Sequence, residues 1–359
     1  MSGMSGDASA VLAEQVRAAA ASGQILRIRG GDTRRFLRAD AVADADADGE
    51  PLDLREHRGV IAFEPAELVL TARAGTPLAE IEATLAEAGQ YLPFEPPHFG
   101  KDGTFGGAIA SGLAGPARPW RGSVRDAVLG ITLLDGHGAI GRFGGQVMKN
   151  VAGYDVARLN VGAMGALGVL LDISVRVLPR SASETTRVFE VGMGQALQRM
   201  TTLARKPLPI TALAWEDGRL RVRLSGSETG VSAAARALGG EACGEDHAYW
   251  HALRDGTLPF FAGPTPLWRI SLPVTAPQPD WVGNWLLDWG GAQRWCRSDV
   301  PADQVFASAA AAGGHALCWR PTVARSPLPA AMAELQGRIK AVFDPAGTLN
   351  PGVLYPELL

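Results

Sequence analysis

The sequence predicts an α+β protein of two domains, and three observations carry that prediction. The chain has 359 residues, well above the roughly 100–200 of one domain, so more than one packed unit and a large core are expected. Segments with the 3.6-residue period of amphipathic helices alternate with short apolar strands. Pro179 and the polar segment after it interrupt that alternation, placing a first domain at 1–180 and a smaller α+β domain beyond it.

Residues 8–22 are Ala-rich with Val11, Leu12 and Val16 on one face, predicting a helix, and Ile25 to Ile28 a strand that runs into Arg29-Gly30-Gly31-Asp32-Thr33. The segment 41–49, AVADADADG, is a polar low-complexity loop. Val69 to Ala72 is the next strand. Thr76 is expected to cap a helix with Pro77 at its first position, Leu78, Ile81 and Leu85 inward and Gly89 at its C-terminal end. Residues 93–116 hold too many Pro and Gly for a long element. Val128 to Leu134 is a strand. Leu170 to Val177 is another, with Ile173, Val175 and Val177 inward and Asp172, Ser174 and Arg176 outward. In the second domain Asp217-Gly218 joins Leu213–Trp215 to Leu220–Leu224 as a hairpin. A helix at 231–238, a Trp-rich helix around 281–289 and strands near 268–272 and 315–319 complete it.

Composition narrows the function classes. There are 34 Lys+Arg against 37 Asp+Glu, so the chain lacks the basic footprint that nucleic acid requires. No apolar run reaches the roughly 18 residues of a membrane span, and the N-terminus has no charged start of a signal peptide, so a soluble cytoplasmic protein is expected. Cys243, Cys296 and Cys318 are scattered and cannot hold an iron–sulfur cluster. Redox chemistry in this chain would need a bound organic cofactor.

Glycine is abundant, 44 of 359 residues, about 12% against a usual ~7%. Gly136-His137-Gly138-Ala139-Ile140-Gly141 fits the spacing of a dinucleotide fingerprint, with Asp155 downstream, yet Arg142-Phe143-Gly144-Gly145 is a poor start for the helix that fingerprint needs. Asp135-Gly136 reads better as a hairpin turn. Cys243, His247 and His251 fall four residues apart like metal ligands, but Gly244 weakens the turn and no acid lies between the histidines, so an amphipathic segment burying Trp250 and Leu253 is expected, with no metal.

Two loops share one chemistry: Arg29 to Thr33, and Gly103-Thr104-Phe105-Gly106-Gly107-Ala108-Ile109-Ala110-Ser111-Gly112. Adjacent glycines and small hydroxyl residues let backbone N–H groups converge on phosphate, and two such loops suit a pyrophosphate. Either alone could be an ordinary tight turn. Gly162-Ala163-Met164-Gly165-Ala166-Leu167-Gly168, leading into Val169, could bring backbone against a flat heterocycle.

These motifs resemble FAD-binding flavoproteins of the vanillyl-alcohol oxidase and p-cresol methylhydroxylase (PCMH) type, over roughly residues 21–180 and the tail. RGGDT resembles their first pyrophosphate loop, AGTPLAEIEATLAEAG the helix after it, GTFGGAIASG the second loop, KNVAGYDVARLNVGAMGALGVL the segment ending beside adenine, and Asp344-Pro345 to Asn350-Pro351-Gly352 the returning tail. The resemblance implies a two-subdomain FAD-binding domain (about 1–75 and 76–180), a cap-like domain at 181–335 and a C-terminal segment, 336–359, that returns to the FAD domain. It implies FAD contacts from Arg29, Gly30, Gly31, Asp32, Thr33, Pro96, Gly103, Thr104, Gly106, Gly107, Ala110, Ser111, Gly112, Gly165, Gly168, Val169 and Asn350.

A narrower resemblance, carried by MKNVAGYDVARL, WHALRDGTLPFF and GGHALCWR, is to the FAD-binding E subunits of bacterial glycolate oxidases. It implies a complex with a larger catalytic FAD subunit and an iron–sulfur subunit, oxidising a small 2-hydroxy acid such as glycolate or D-lactate and passing electrons towards a membrane acceptor that the partners reach. Two departures matter. The GDGN…H motif of related hydroxyacid dehydrogenases is missing from the second domain, and Asp32 stands where many relatives attach FAD through histidine, which implies non-covalent FAD.

The sequence assigns no catalytic base. His315 and Arg320 could face a substrate carboxylate or serve a structural salt bridge, and Lys149 and Tyr154 could be family residues or a solvated lysine and a core tyrosine. A stand-alone FAD oxidase and a non-catalytic scaffold subunit stay open beside the complex. The tryptophans clustered at 268–295 fit either a partner interface or the core of the second domain.

Overall fold

The computed structural model describes residues 6–38, 49–145, 154–243, 246–321 and 324–355. The loop 41–48 and Lys149 lie outside the described residues. The chain divides into two compact units, Met1–Leu113 with Ser123–Pro179 and Leu328–Leu359, and Ala114–Gly122 with Arg180–Pro327.

In the first unit the helix Ser9–Ser22 buries Leu12, Ala13, Val16 and Ala19 at helical spacing and ends on Gly23, whose φ of 70° only glycine adopts cheaply. Val11, expected on the inward face, is exposed. The strand Leu26–Arg29 pairs in parallel with Glu50–Asp53. A five-stranded antiparallel sheet runs in the order Val60–Glu64, Val69–Arg73, Val169–Arg176, Val128–Leu134, Ile140–Gly144. The strands Glu50–Asp53 and Val60–Glu64 were not legible, because one contains Pro51 and both show mixed exposure in place of an apolar run.

Two local expectations change. Thr76 does not cap the helix Leu78–Glu87: its hydroxyl donates to Arg73 O at 2.7 Å and accepts from Gly59 N at 2.9 Å, and Pro77 takes the cap position. Ser174 is buried, not outward, because Val169–Arg176 is the middle strand and both of its faces are covered. Its Oγ lies 2.8 Å from Thr71 Oγ1 on the paired strand. The Asp135-Gly136 turn is a hairpin as expected: Asp135 Oδ1 accepts from His137 N and Ala139 N, and Gly141 lies inside the strand Ile140–Gly144 where the fingerprint needs a helix. The dinucleotide spacing there is coincidental.

Among the described residues the second unit is built on a nine-stranded sheet. Ile210–Glu216 and Arg219–Gly226 form the expected hairpin, with Asp217 and Gly218 at positive φ. The helix Glu228–Leu238 covers it, while Leu267–Ser271 and His315–Arg320 are paired strands. The Trp-rich helix around 281–289 is overturned. Asn284–Asp288 is a strand between Ile210–Glu216 and Gln293–Arg297, buried along nearly its whole length, so it shows no period-2 alternation to distinguish it from a buried helix. Trp268, Trp281, Trp285, Trp289 and Trp295 are all at most 9% exposed within this chain, so they are core residues and not a ready interface.

Candidate functional site

A cleft in the first unit begins where the strand Leu26–Arg29 ends. Arg29, Gly30, Gly31, Asp32 and Thr33 line it, with Thr104, Gly106, Gly107 and Ala110 from the second loop, Gly165 and Gly168 from the third glycine set, and Asn350 from the tail. Counted out to its mouth, with open solvent included, it holds about 790 Å³ of free space.

The first loop is packed so closely that its glycines admit no side chain. A Cβ on Gly31 would fall 1.4 Å from Asp102 O, and one on Gly30 2.3 Å from Thr104 Oγ1. Asp32 is held at φ 55°, a conformation costly for a residue with a Cβ. The N–H groups of Gly30, Gly31, Asp32 and Thr33 make no hydrogen bond within the protein among the described residues. Four successive unsatisfied donors around a left-handed residue form a nest that suits an anion.

The second loop is different. Thr104 caps the short helix Phe105–Ser111, its Oγ1 accepting from Gly107 N at 3.2 Å. Phe105 N donates to Thr76 O at 2.8 Å and Gly106 N to Ala74 O at 2.7 Å. These amides are engaged in the fold, so Gly106 and Gly107 line the cleft as smooth backbone rather than as donors. A Cβ on Gly106 would lie 2.6 Å from Ala74 Cβ, which explains the glycine.

The tail closes one side of the cleft. Asn350, at φ 40°, accepts from Ile28 N at 2.9 Å through Oδ1 and donates to Met164 O at 2.8 Å through Nδ2. Met164 also has positive φ, 51°, so three residues with side chains are held in left-handed backbone around one cleft. Behind Asn350, Lys340 Nζ donates to Asp344 Oδ2 at 2.5 Å, Leu349 O at 2.7 Å and Ala166 O at 2.9 Å. Asp344 also accepts from the amides of Thr348 and Leu349. Burial pulls the Lys340 pKa below its usual value and Asp344 opposes that pull. The buried pair ties tail, third glycine set and cleft together.

The remaining candidates are placed elsewhere. Pro96, Gly103 and Val169 are buried and, like Ser111 and Gly112, are not among the residues lining the cleft. Gly112 ends the short helix at φ 63°, and Ser111 Oγ donates back to Ala108 O. His315 and Arg320 are at opposite ends of one strand, about 17 Å apart at the usual rise per residue, and cannot share a carboxylate. Tyr154 is 96% exposed, which overturns its reading as a core tyrosine. In the helix Asp246–Asp255, Trp250 and Leu253 are buried and His247 pairs with Glu184 at 3.4 Å. No metal-ligand cluster occurs among the described residues. The sequence reading missed Arg34, Arg35 and Arg38, which add positive charge to the cleft wall. In the sequence they read as ordinary solvated arginines of the turn after the first loop.

The cradle that a Cβ would fill, the four unsatisfied amides and the adjoining arginines fit the pyrophosphate of a dinucleotide cofactor. A family model described as FAD binding domain matches residues 8–144. The chain is 46% identical over 353 residues to glycolate oxidase subunit GlcE of Escherichia coli (strain K12), covering 98% of this chain and 99% of that protein. It is 27% identical over 181 residues to glycolate oxidase subunit GlcD of Bacillus subtilis (strain 168), covering 50% of this chain and 38% of that protein. Among solved structures an alkyldihydroxyacetonephosphate synthase shares the fold, with a TM-score of 0.66 at 13% identity, covering 95% of this chain and 74% of that one. The α+β architecture with a PCMH-type FAD-binding fold is therefore as the sequence predicted, and the chain belongs to the FAD-binding PCMH-type flavoproteins, with full-length similarity to glycolate oxidase subunit GlcE.

Proposed function

We propose that this chain is the FAD-binding subunit of a glycolate oxidase complex, in which a 2-hydroxy acid such as glycolate or D-lactate is oxidised to its 2-oxoacid. The observation that carries this reading is the similarity to GlcE along nearly the whole of both chains. Its partners are a larger, GlcD-like FAD subunit and an iron–sulfur subunit that takes the electrons onward. FAD, when bound, supplies the two-electron acceptor for hydride leaving the carbon that bears the hydroxyl.

This chain's own residues bind and orient. The amides of Gly30 to Thr33 hold the pyrophosphate, and Arg29 and Arg35 offset its charge. Gly165 and Gly168 give a flat wall, because a Cβ on either would come within 2.8 Å of Ile28 or Leu133 respectively. Asp32 cannot form the ring linkage that a histidine forms in many relatives, so FAD is held non-covalently. Residues 1–180, with the tail 336–359, serve as the FAD domain, and 181–335 as the cap. No helix among the described residues is long and apolar enough to cross a membrane. Contact of the complex with the membrane is made through its partners.

The test is an anaerobic visible spectrum of the chain, alone and with its co-expressed partners, before and after glycolate or D-lactate. Flavin that bleaches only in the complex supports the subunit reading. Bleaching in the isolated chain makes it a self-sufficient oxidase, and absence of flavin refutes the cofactor assignment.

A further inference from the structure

On the nine-stranded sheet of the second unit, the strand Leu267–Ser271 places Arg269 opposite Trp295 on one neighbour and Leu317 on the other. The opposite face of the same strands forms an apolar core with Trp268, Ile270, Cys296 and Cys318. The Arg269 guanidinium carbon is 5.2 Å from the ring centre of Trp289, 5.9 Å from Trp295 and 5.7 Å from Trp319. Trp295 and Trp319 meet edge to face at 5.1 Å, so the wall is rigid.

No carboxylate forms a direct ion pair with Arg269 among the described residues; Asp288 acts on it only through space. Arg269 Nε donates to Gln293 Oε1 at 2.6 Å, and Gln293 Nε2 donates to Asp288 Oδ2 at 3.2 Å. A neutral amide therefore stands where a carboxylate would pair. The two terminal nitrogens of Arg269 make no hydrogen bond or ion pair with protein among the described residues. Burial, and next the positive field of Arg118, pull its pKa down to about 10, the direction expected of a partly desolvated cation, here half-buried with its terminal nitrogens open to solvent. A buried charge is costly unless paired, and cation–π contacts offset only part of that cost. Two parallel N–H forks on a fixed guanidinium match a carboxylate in bidentate geometry.

We propose that Arg269, walled by Trp289, Trp295 and Trp319 and held by Gln293, is a binding site for a small organic carboxylate. That the carboxylate is a 2-hydroxy acid rests on the function proposed above. The site is distinct from the pair His315 and Arg320, which strand geometry separates.

The experiment uses the complex with its flavin in place and follows tryptophan fluorescence during titration with 2-hydroxyisobutyrate. This acid has no hydrogen on the carbon bearing the hydroxyl, so it binds without being oxidised. The expected result is a saturable change that glycolamide and inorganic phosphate do not produce. Arg269→Gln weakens binding roughly tenfold or more, the loss of a charged hydrogen-bond pair. Arg269→Lys keeps the charge but loses the two-pronged fork, so it should recover only part of the binding, and the melting temperatures of both variants separate lost binding from lost fold. A wild-type complex that gives no response, or responds equally to phosphate, overturns the proposal, as do variants that bind like wild type. Flavin absorbance in the same samples keeps the two readings apart: normal flavin without a carboxylate response sinks this inference alone, whereas missing flavin sinks the function.

Discussion

The two glycine loops of the first unit look alike in sequence and do opposite work in the structure. In Arg29 to Thr33 the glycines clear space for neighbouring backbone and leave four amides without protein partners among the described residues. In Gly103 to Gly112 the same residue types engage their amides with Thr76 O, Ala74 O and Thr104 Oγ1. Glycine density thus marks close approach of chain segments. Whether the amides remain for a ligand depends on acceptors supplied from elsewhere, here chiefly the turn after the strand Val69–Arg73.

The largest effect expected is from breaking the buried pair behind Asn350 that ties the tail to the third glycine set. Lys340→Met leaves Asp344 buried without its cation and should cost about 3–5 kcal/mol. Chemical denaturation of the complex measures it, and a loss near zero would show that the tail does not hold the cleft. Gly31→Ala comes next: the overlap with Asp102 O can be relieved only by moving backbone, so about 3 kcal/mol of stability and most bound FAD should be lost. Retention of full flavin content would contradict the assignment of the first loop.

Thr104→Ala sharpens the contrast from the other side. It removes a helix cap worth about 1 kcal/mol and the hydroxyl that would collide with a side chain on Gly30. Gly30→Ala should therefore be better tolerated in that background than in wild type, as a double-mutant cycle by thermal melting would show. The smallest effect is at the outer side of the first loop, where the Arg55 hydrogen bond holds the Asp53 carboxyl below its usual 3.8. Arg55→Ala should leave stability at neutral pH almost unchanged, because the pair is exposed to solvent and contributes little. Because the folded value is depressed, that contribution is present above pH 3.8 and is lost as pH falls through the lowered value, which acid titration of both proteins would reveal.

Turn chemistry made much of the fold legible. Asp135-Gly136 and Asp217-Gly218 mark real hairpins, and Leu78, Ile81 and Leu85 mark a real helix face. Asn284–Asp288 was misread because a strand buried on both faces loses its alternation, and Trp285, Leu286 and Leu287 then imitate a buried helix. Ser174 failed for the same reason. At the site, the loops carried their own local signal. Arg34, Arg35 and Arg38 did not, since an arginine beside a cleft looks like any solvated arginine until the chain folds. The role of Gln293 is equally invisible, because it depends on a register with Arg269 set by strand pairing.

The most direct test of the central claim is amide hydrogen exchange of the chain with and without FAD. Peptides spanning 29–34 should exchange fast without FAD and become strongly protected with it, while those covering Phe105 to Gly107, already bonded within the fold, should change little. Equal protection of both loops by FAD, or none in the first, would contradict the division of labour between them.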